Sequence, residues 1–150
     1  MKAVLQRAAA ASVECGGKIV SEIGRGFMVL LGVTKEDTQA EADVLAAKIA
    51  GLRVFSDENG KMNLGLEDVG GGVIVVSNFT LCADCSHGRR PSFINAQRPV
   101  QANELYEYFI KRLKFYGVPE VGTGVFGGDM QVHIQNDGPV TIILDTDDLK

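Results

Sequence analysis

The C-terminal stretch "DMQVHIQNDGPVTIILDT", Asp129 to Thr146, holds two strand patterns and one interruption. Met130, Val132 and Ile134 alternate with Gln131, His133 and Gln135, the period-two signature of a half-exposed strand. Val140 to Leu144 is apolar and mostly β-branched, which predicts a final buried strand. Asn136-Asp137-Gly138-Pro139 lies between them. Proline donates no ladder hydrogen bond, so it belongs at a strand start, an edge or a bulge. Glycine takes backbone angles closed to other residues. Gly138-Pro139 is therefore either a tight turn at a strand entry or a rigid backbone device, and on pattern alone the turn is the simpler reading.

Working back along the chain, "GFMVLLGV" (Gly26 to Val33) is a continuous apolar run of strand length, expected in a central strand buried on both faces. "ASVECGGKIVSEIG" reads as a hairpin around Gly16-Gly17, and Met1 to Gln6 as a separate first strand. Thr38 and Glu41 form a T-x-x-E capping box ahead of Ala42, Leu45, Ala46 and Ile49, which recur at helical spacing up to a stop near Gly51. "LRVF" fits a short strand or the helix end, and Asn59-Gly60 marks a loop tip. Gly70-Gly71-Gly72 launches "VIVVSNFTL", read as another buried strand. Residues 82 to 99 form a long loop, and such loops inside compact domains are usually functional or mobile. A second helix is expected from about Val100 to Tyr116, with Leu105, Phe109, Leu113 and Tyr116 as its buried stripe and Gly117 and Pro119 ending it. Strand-rich sections broken by two helices give an α+β domain spanning residues 1–150.

A chain of 150 residues with 45% hydrophobic and 23% charged residues is ordinary for one globular domain. No apolar run reaches the length of a membrane span, and no signal peptide is read. Three cysteines fit no disulfide framework and point to a reducing cytoplasm. A net charge of −4 argues against broad, charge-driven binding to DNA or RNA, but leaves room for a local basic patch. The candidate is "HGRRPSFINAQR", with Arg89, Arg90 and Arg98.

Cys82-x-x-Cys85-x-His87 has metal-like spacing but offers three ligands where structural zinc takes four, so no metal site is assigned. Neither histidine is tied by sequence to Ser77 or Thr80, so no hydrolytic triad is read. On pattern alone the hydroxyls of "SNFTL" are better explained by backbone hydrogen bonding at a strand end than by catalysis. The glycine clusters do not match a phosphate loop: "GGG" precedes a strand, and "GTGVFGG" lacks the Walker lysine. Such glycines mark tight turns, the commoner case, or close approach of backbone to a ligand.

"SNFTLCAD" and "DMQVHIQNDGPVT" occur in one order and distance, together with "LQRAAAASV", "SEIGRGFMVLLGV" and "RVFSDENGKMNL". In this combination the chain resembles the D-aminoacyl-tRNA deacylase family, also called D-tyrosyl-tRNA deacylases, from Met1 to about Asp145. The resemblance implies mostly antiparallel, barrel-like β-sheets with two main helices. It implies a cytoplasmic homodimer whose active sites lie at the subunit interface, with no cofactor, membrane or DNA involved. The implied reaction is hydrolysis of the ester joining a D-amino acid, or glycine, to the 3′ end of tRNA, with L-amino acids rejected.

The family's S-Q-F-T-L motif maps onto Ser77, Asn78, Phe79, Thr80 and Leu81. Ser77, Phe79 and Thr80 are thereby the catalytic candidates, with Thr80 in a positioning or stabilising role and the N–H groups of Phe79 and Thr80 as oxyanion donors. Its glycine–cis-proline motif maps onto Gly138 and Pro139, which would reach into the partner's site. Asn78 departs from the family's glutamine by one methylene. Asn78, Gly138, Pro139, Phe126 and Met130 are the substrate-binding candidates, and Arg89, Arg90 and Lys111 are candidates for tRNA phosphates. Two rival readings are a non-catalytic dimeric module that binds tRNA ends, and a paralogue with a trans glycine–proline that edits an L-aminoacyl-tRNA.

Overall fold

β1 (Lys2–Cys15) organises the sheet, and a computed structural model describes it together with the rest of residues 1–149. The expected first strand and the first arm of the hairpin are one strand, because β1 changes partners partway along a single edge. Its first half pairs antiparallel with β3 (Gly26–Gly32) and its second half with β2 (Lys18–Ile23). The β1–β2 turn is Gly16-Gly17, with φ of 61° and 77°, values that fit a primed hairpin turn. On its other edge β1 pairs with β8 (Met130–Asp145).

The α-helix α1 (Gln39–Gly51) follows β3, and the predicted capping box closes its start. β4 (Phe55–Ser56) and β5 (Met62–Leu64) make a small hairpin, followed by the short helix α2 (Leu66–Val69), which the sequence reading lacked. β6 (Gly72–Ser77) and β7 (Glu120–Thr123) extend the sheet, with α3 (Pro99–Phe115) between them. The strand order is β2-β1-β3-β6-β7 with β8 added to β1. The β3–β6 and β6–β7 pairs are parallel, and the others are antiparallel. The sheet curls into a nearly closed, barrel-like form. Gly122 of β7 approaches β2 so closely that a Cβ there would collide with Ser21 Oγ. The "GTG" glycines are thus partly explained by backbone approach within the sheet.

Alternation sorts the core into two layers. Phe27, Val29, Leu31, Val73 and Val75 face the helices, where Leu45, Ile49, Phe109 and Leu113 cover them. Met28, Ile74 and Val76 face the other way, against half-buried Met130, Val132 and Ile134. Full burial of each large side chain contributes about 1.5–3 kcal/mol. The stripe of α3 is rotated from its expected position: Ala102, Tyr106, Phe109, Ile110 and Leu113 are buried, while Leu105 and Tyr116 are half-buried.

Two further expectations are corrected. The strand read through "VIVVSNFTL" ends at Ser77, and Phe79–Cys82 is a 3-10 turn. Val140 to Leu144 is not buried. Its residues alternate between half-buried and exposed, and Ile143 is 77% exposed, because among the described residues β8 pairs only with β1 and nothing covers its outer face.

Candidate active site

The parallel pairing of β3 with β6 sets Ser77 beside Leu31 at the end of β6. The Asn78 N–H donates to Leu31 O at 2.8 Å, which leaves the chain free to turn immediately afterwards. Asn78 then caps the 3-10 turn. Its Oδ1 accepts from the Thr80 N–H at 3.2 Å and from the Thr80 hydroxyl. This is an Asx-type closure, in which a short side chain mimics a backbone turn. Asparagine has the length for it; a glutamine amide would sit one methylene further out.

A cleft of about 800 Å³ opens beside this turn. Ser77, Asn78 and Phe79 form one wall, and Phe126 and Met130 another. Three of the walls were not foreseen: Phe93, Gln97 and the apolar floor of Leu30, Val132 and Ile134. Phe93 meets Phe79 edge to face at 5.1 Å between ring centres. Phe126 packs on Tyr106, whose hydroxyl donates to Val75 O at 2.7 Å, and burial pushes the Tyr106 phenol up to about 12. Thr80 is exposed and stands just outside the lining.

The expected pair of oxyanion donors is halved. The Thr80 N–H is engaged by Asn78, whereas the Phe79 N–H has no partner among the described residues. The Thr80 hydroxyl gives its proton to an amide oxygen, which is not a base, so its lone pairs are what it offers outward. Asp129 is the one ionisable group lining the cleft among the described residues, and neither histidine reaches it.

Gly138 and Pro139 lie outside this cleft, on an arch in β8. Gln6 pairs with Thr141 and Ala8 with Asn136, so β8 spends five residues where β1 spends two. The surplus bulges from the sheet. Gly138 has φ +143°, its bond to Pro139 is cis, and both residues are exposed. Two side chains that the sequence reading did not assign pin the arch. Arg7 Nε donates to Asp137 O at 3.0 Å and Arg7 Nη1 to Val54 O at 2.6 Å. Asn136 Nδ2 donates to Arg7 O at 3.0 Å and to Val140 O at 3.1 Å, which clamps the arch across its base. The available signal for Arg7 was a cation set directly before the four-alanine run Ala8 to Ala11.

Residues 4–145 match the family described as "D-Tyr-tRNA(Tyr) deacylase". The D-aminoacyl-tRNA deacylase of Lacticaseibacillus casei is 56% identical over 147 residues, covering 98% of this chain and 99% of the relative. The chain belongs to the D-aminoacyl-tRNA deacylase family. It is accordingly a hydrolase. A solved structure described as a c-Myc DNA unwinding element binding protein is similar at 47% identity, with a TM-score of 0.91 over 97% of this chain and 98% of that one. At 16% identity, a probable eukaryotic D-amino acid tRNA deacylase shares the fold, with a TM-score of 0.80 over 95% and 97% of the two chains.

The remaining expected residues of this deacylase separate in space. Cys82 is buried, with its Sγ 3.6 Å from Val33 O, and burial raises its thiol pKa; Cys85 and His87 are exposed. Arg89 and Arg90 are exposed on the segment between the 3-10 turn and α3. Lys111 stands nine residues beyond Ala102, the last α3 residue at the cleft, or roughly 13 Å along the helix axis. Among the described residues, no helix is long and apolar enough to cross a membrane.

Proposed function

We propose that this deacylase hydrolyses D-aminoacyl-tRNA and glycyl-tRNA as a cytoplasmic homodimer. The terminal adenosine would occupy the cleft and the arch of the second copy would complete it. The observation that carries the reading is the unpaired Phe79 N–H at the mouth of an apolar cleft that contains no histidine. An aminoacyl ester is already activated, so a positioned water and one good oxyanion donor supply much of what hydrolysis needs. Water attacks the carbonyl carbon and the carbonyl π electrons move to oxygen, facing the Phe79 N–H. Collapse then expels the ribose oxygen, which takes up the proton that water has lost. Thr80, with its own proton held by Asn78, accepts a hydrogen bond from the attacking water or the substrate ammonium. The ribose 2′-hydroxyl can relay the proton, which removes the need for a side-chain base. Phe79 and Phe126 offer stacking faces for the adenine, and Ser77 and Met130 line the space around the ester.

Rejection of L-amino acids rests on rigidity. Many D side chains must pass, so none is gripped, and glycine passes because it has no side chain. Collision with a fixed backbone excludes the other enantiomer. The Gly138–Pro139 arch, held by Arg7 and Asn136, is such a backbone, since it cannot rotate away as a side chain can. Hydrolysis of matched D- and L-aminoacyl-tRNA tests the reading. Release of D-amino acid at catalytic enzyme levels, with the L-ester spared, is the expected result. No turnover of either would leave a module that only binds tRNA ends, and preferential cleavage of the L-ester would make it an editor of the opposite hand.

A further inference from the structure

The segment that connects the 3-10 turn to α3 is an arm whose returning limb lies in the cleft wall. It leaves the turn at Cys82–Ala83 and returns at Phe93, which meets Phe79 edge to face. Reciprocal backbone hydrogen bonds between Asp84 and Ser92, at 2.8 and 2.9 Å, close its base. Further back, Gln97 N–H donates to Val33 O and Lys35 N–H to Asn95 O, which ties the returning limb to the end of β3. The tip turns at Gly88, with φ +67°, and residues 85 to 91 are all exposed. It carries His87, Arg89 and Arg90. Between residues 83 and 98 the single acid is Asp84, at the root, and its Oδ1 is occupied by the Ser86 N–H at 2.9 Å. Neither tip arginine forms an ion pair among the described residues.

In a protein of net charge −4, two unpaired guanidinium groups on a braced arm beside the cleft form a local anion site. An ester seated in the cleft belongs to the last ribose of a polynucleotide, and the first phosphates lie a nucleotide or two away. A seven-residue tip extends up to about 10 Å, a span matched to those phosphates. We propose that the Cys85–Pro91 arm clamps the phosphates of the single-stranded RNA 3′ end, so that Arg89 and Arg90 let the enzyme prefer an ester on a polynucleotide to the same ester on a nucleoside. This rests on the functional reading above for the identity of the ester. The phosphate contacts themselves do not depend on that reading. Lys111, on the far end of α3, takes no part.

The test compares Arg89→Ala/Arg90→Ala with the unmodified enzyme on three probes: D-aminoacyl-tRNA, the same amino acid esterified to adenosine alone, and an uncharged single-stranded RNA with the tRNA 3′ sequence. The double variant should lose about tenfold or more in kcat/KM on the tRNA near 0.15 M salt and keep its rate on the adenosine ester. Its log–log salt dependence of RNA binding should flatten by about 1.4, two phosphates at roughly 0.7 each. Equal losses on the two esters would mean a merely structural arm and would overturn the proposal. An unchanged salt slope would overturn it as well. If the unmodified protein cleaves neither ester but the variant still loses salt-dependent RNA binding, the clamp stands and the hydrolytic reading fails.

Discussion

Phe79 contributes two separable things to the cleft, a ring and a backbone N–H. Phe79 is 56% exposed and its ring packs on Phe93, so the ring bears on binding. The N–H has no partner among the described residues because Phe79 is the first residue of its turn, a position at which proline is tolerated. Phe79→Ala removes the ring and keeps the donor; Phe79→Pro removes both without breaking any hydrogen bond present in the fold. We expect Phe79→Ala chiefly to raise KM, and Phe79→Pro to lower kcat by a further 10²–10³-fold, the usual cost of losing an oxyanion donor. Matching kcat values for the two variants would rule the donor out. Thr80→Ala should retain activity well above the uncatalysed rate, because its hydroxyl proton is committed to Asn78. Complete loss with an unchanged circular dichroism spectrum would point to a nucleophile instead. The residue identities of this site were legible in "SNFTL", but the division of its N–H groups was not. That division depends on Asn78 turning back onto Thr80 and on Leu31 taking the Asn78 N–H, and both follow from tertiary placement.

At the scale of elements, α1 could be read almost to the residue because its start and its face are set locally, by Thr38, Glu41 and a 3.6-residue period. β8 could not. Val140 to Leu144 carries the composition of a strand buried on both faces, yet only Ile142 and Leu144 pack on the core, and among the described residues nothing covers the face that carries Ile143. The rotated stripe of α3 has a similar cause. Tyr106 is drawn inward because its hydroxyl reaches Val75 O, a partner that helical periodicity does not reveal. The burial of that phenol makes a pH prediction. Tyr106 ionises near 12 in the fold against about 10 when unfolded, so its raised value contributes stability that is complete below pH 10 and is lost as pH rises toward 12. Between pH 9 and 11 the loss should be about 1 kcal/mol greater in the native protein than in Tyr106→Phe, as read by urea unfolding. Parallel curves for the two proteins would show that the phenol does not carry this dependence.

At the scale of the whole molecule, the cleft and the arch lie apart within one chain. Phe79 lines the cleft, the Gly138–Pro139 arch does not, and β8 displays an unpaired edge with Ile143 facing solvent. Long exposed edges with apolar faces are covered in stable proteins, most simply by a second copy. If the arch of one subunit completes the cleft of the other, defects in the two should complement. Gly138→Ala damages the arch, since φ +143° excludes an L side chain and the new Cβ would sit 2.6 Å from Val140 N. Phe79→Pro damages the cleft. Each variant alone should be nearly inactive while melting within a few degrees of the parent, because the arch bulges off the sheet and the cleft turn is exposed. Coexpressed, they would form heterodimers with one site intact and one doubly damaged. Random pairing makes half the dimers mixed, so about a quarter of full activity should return. Activity no greater than the sum of the two parents would place cleft and arch in service of one chain, and a monomer by light scattering would remove the shared site altogether.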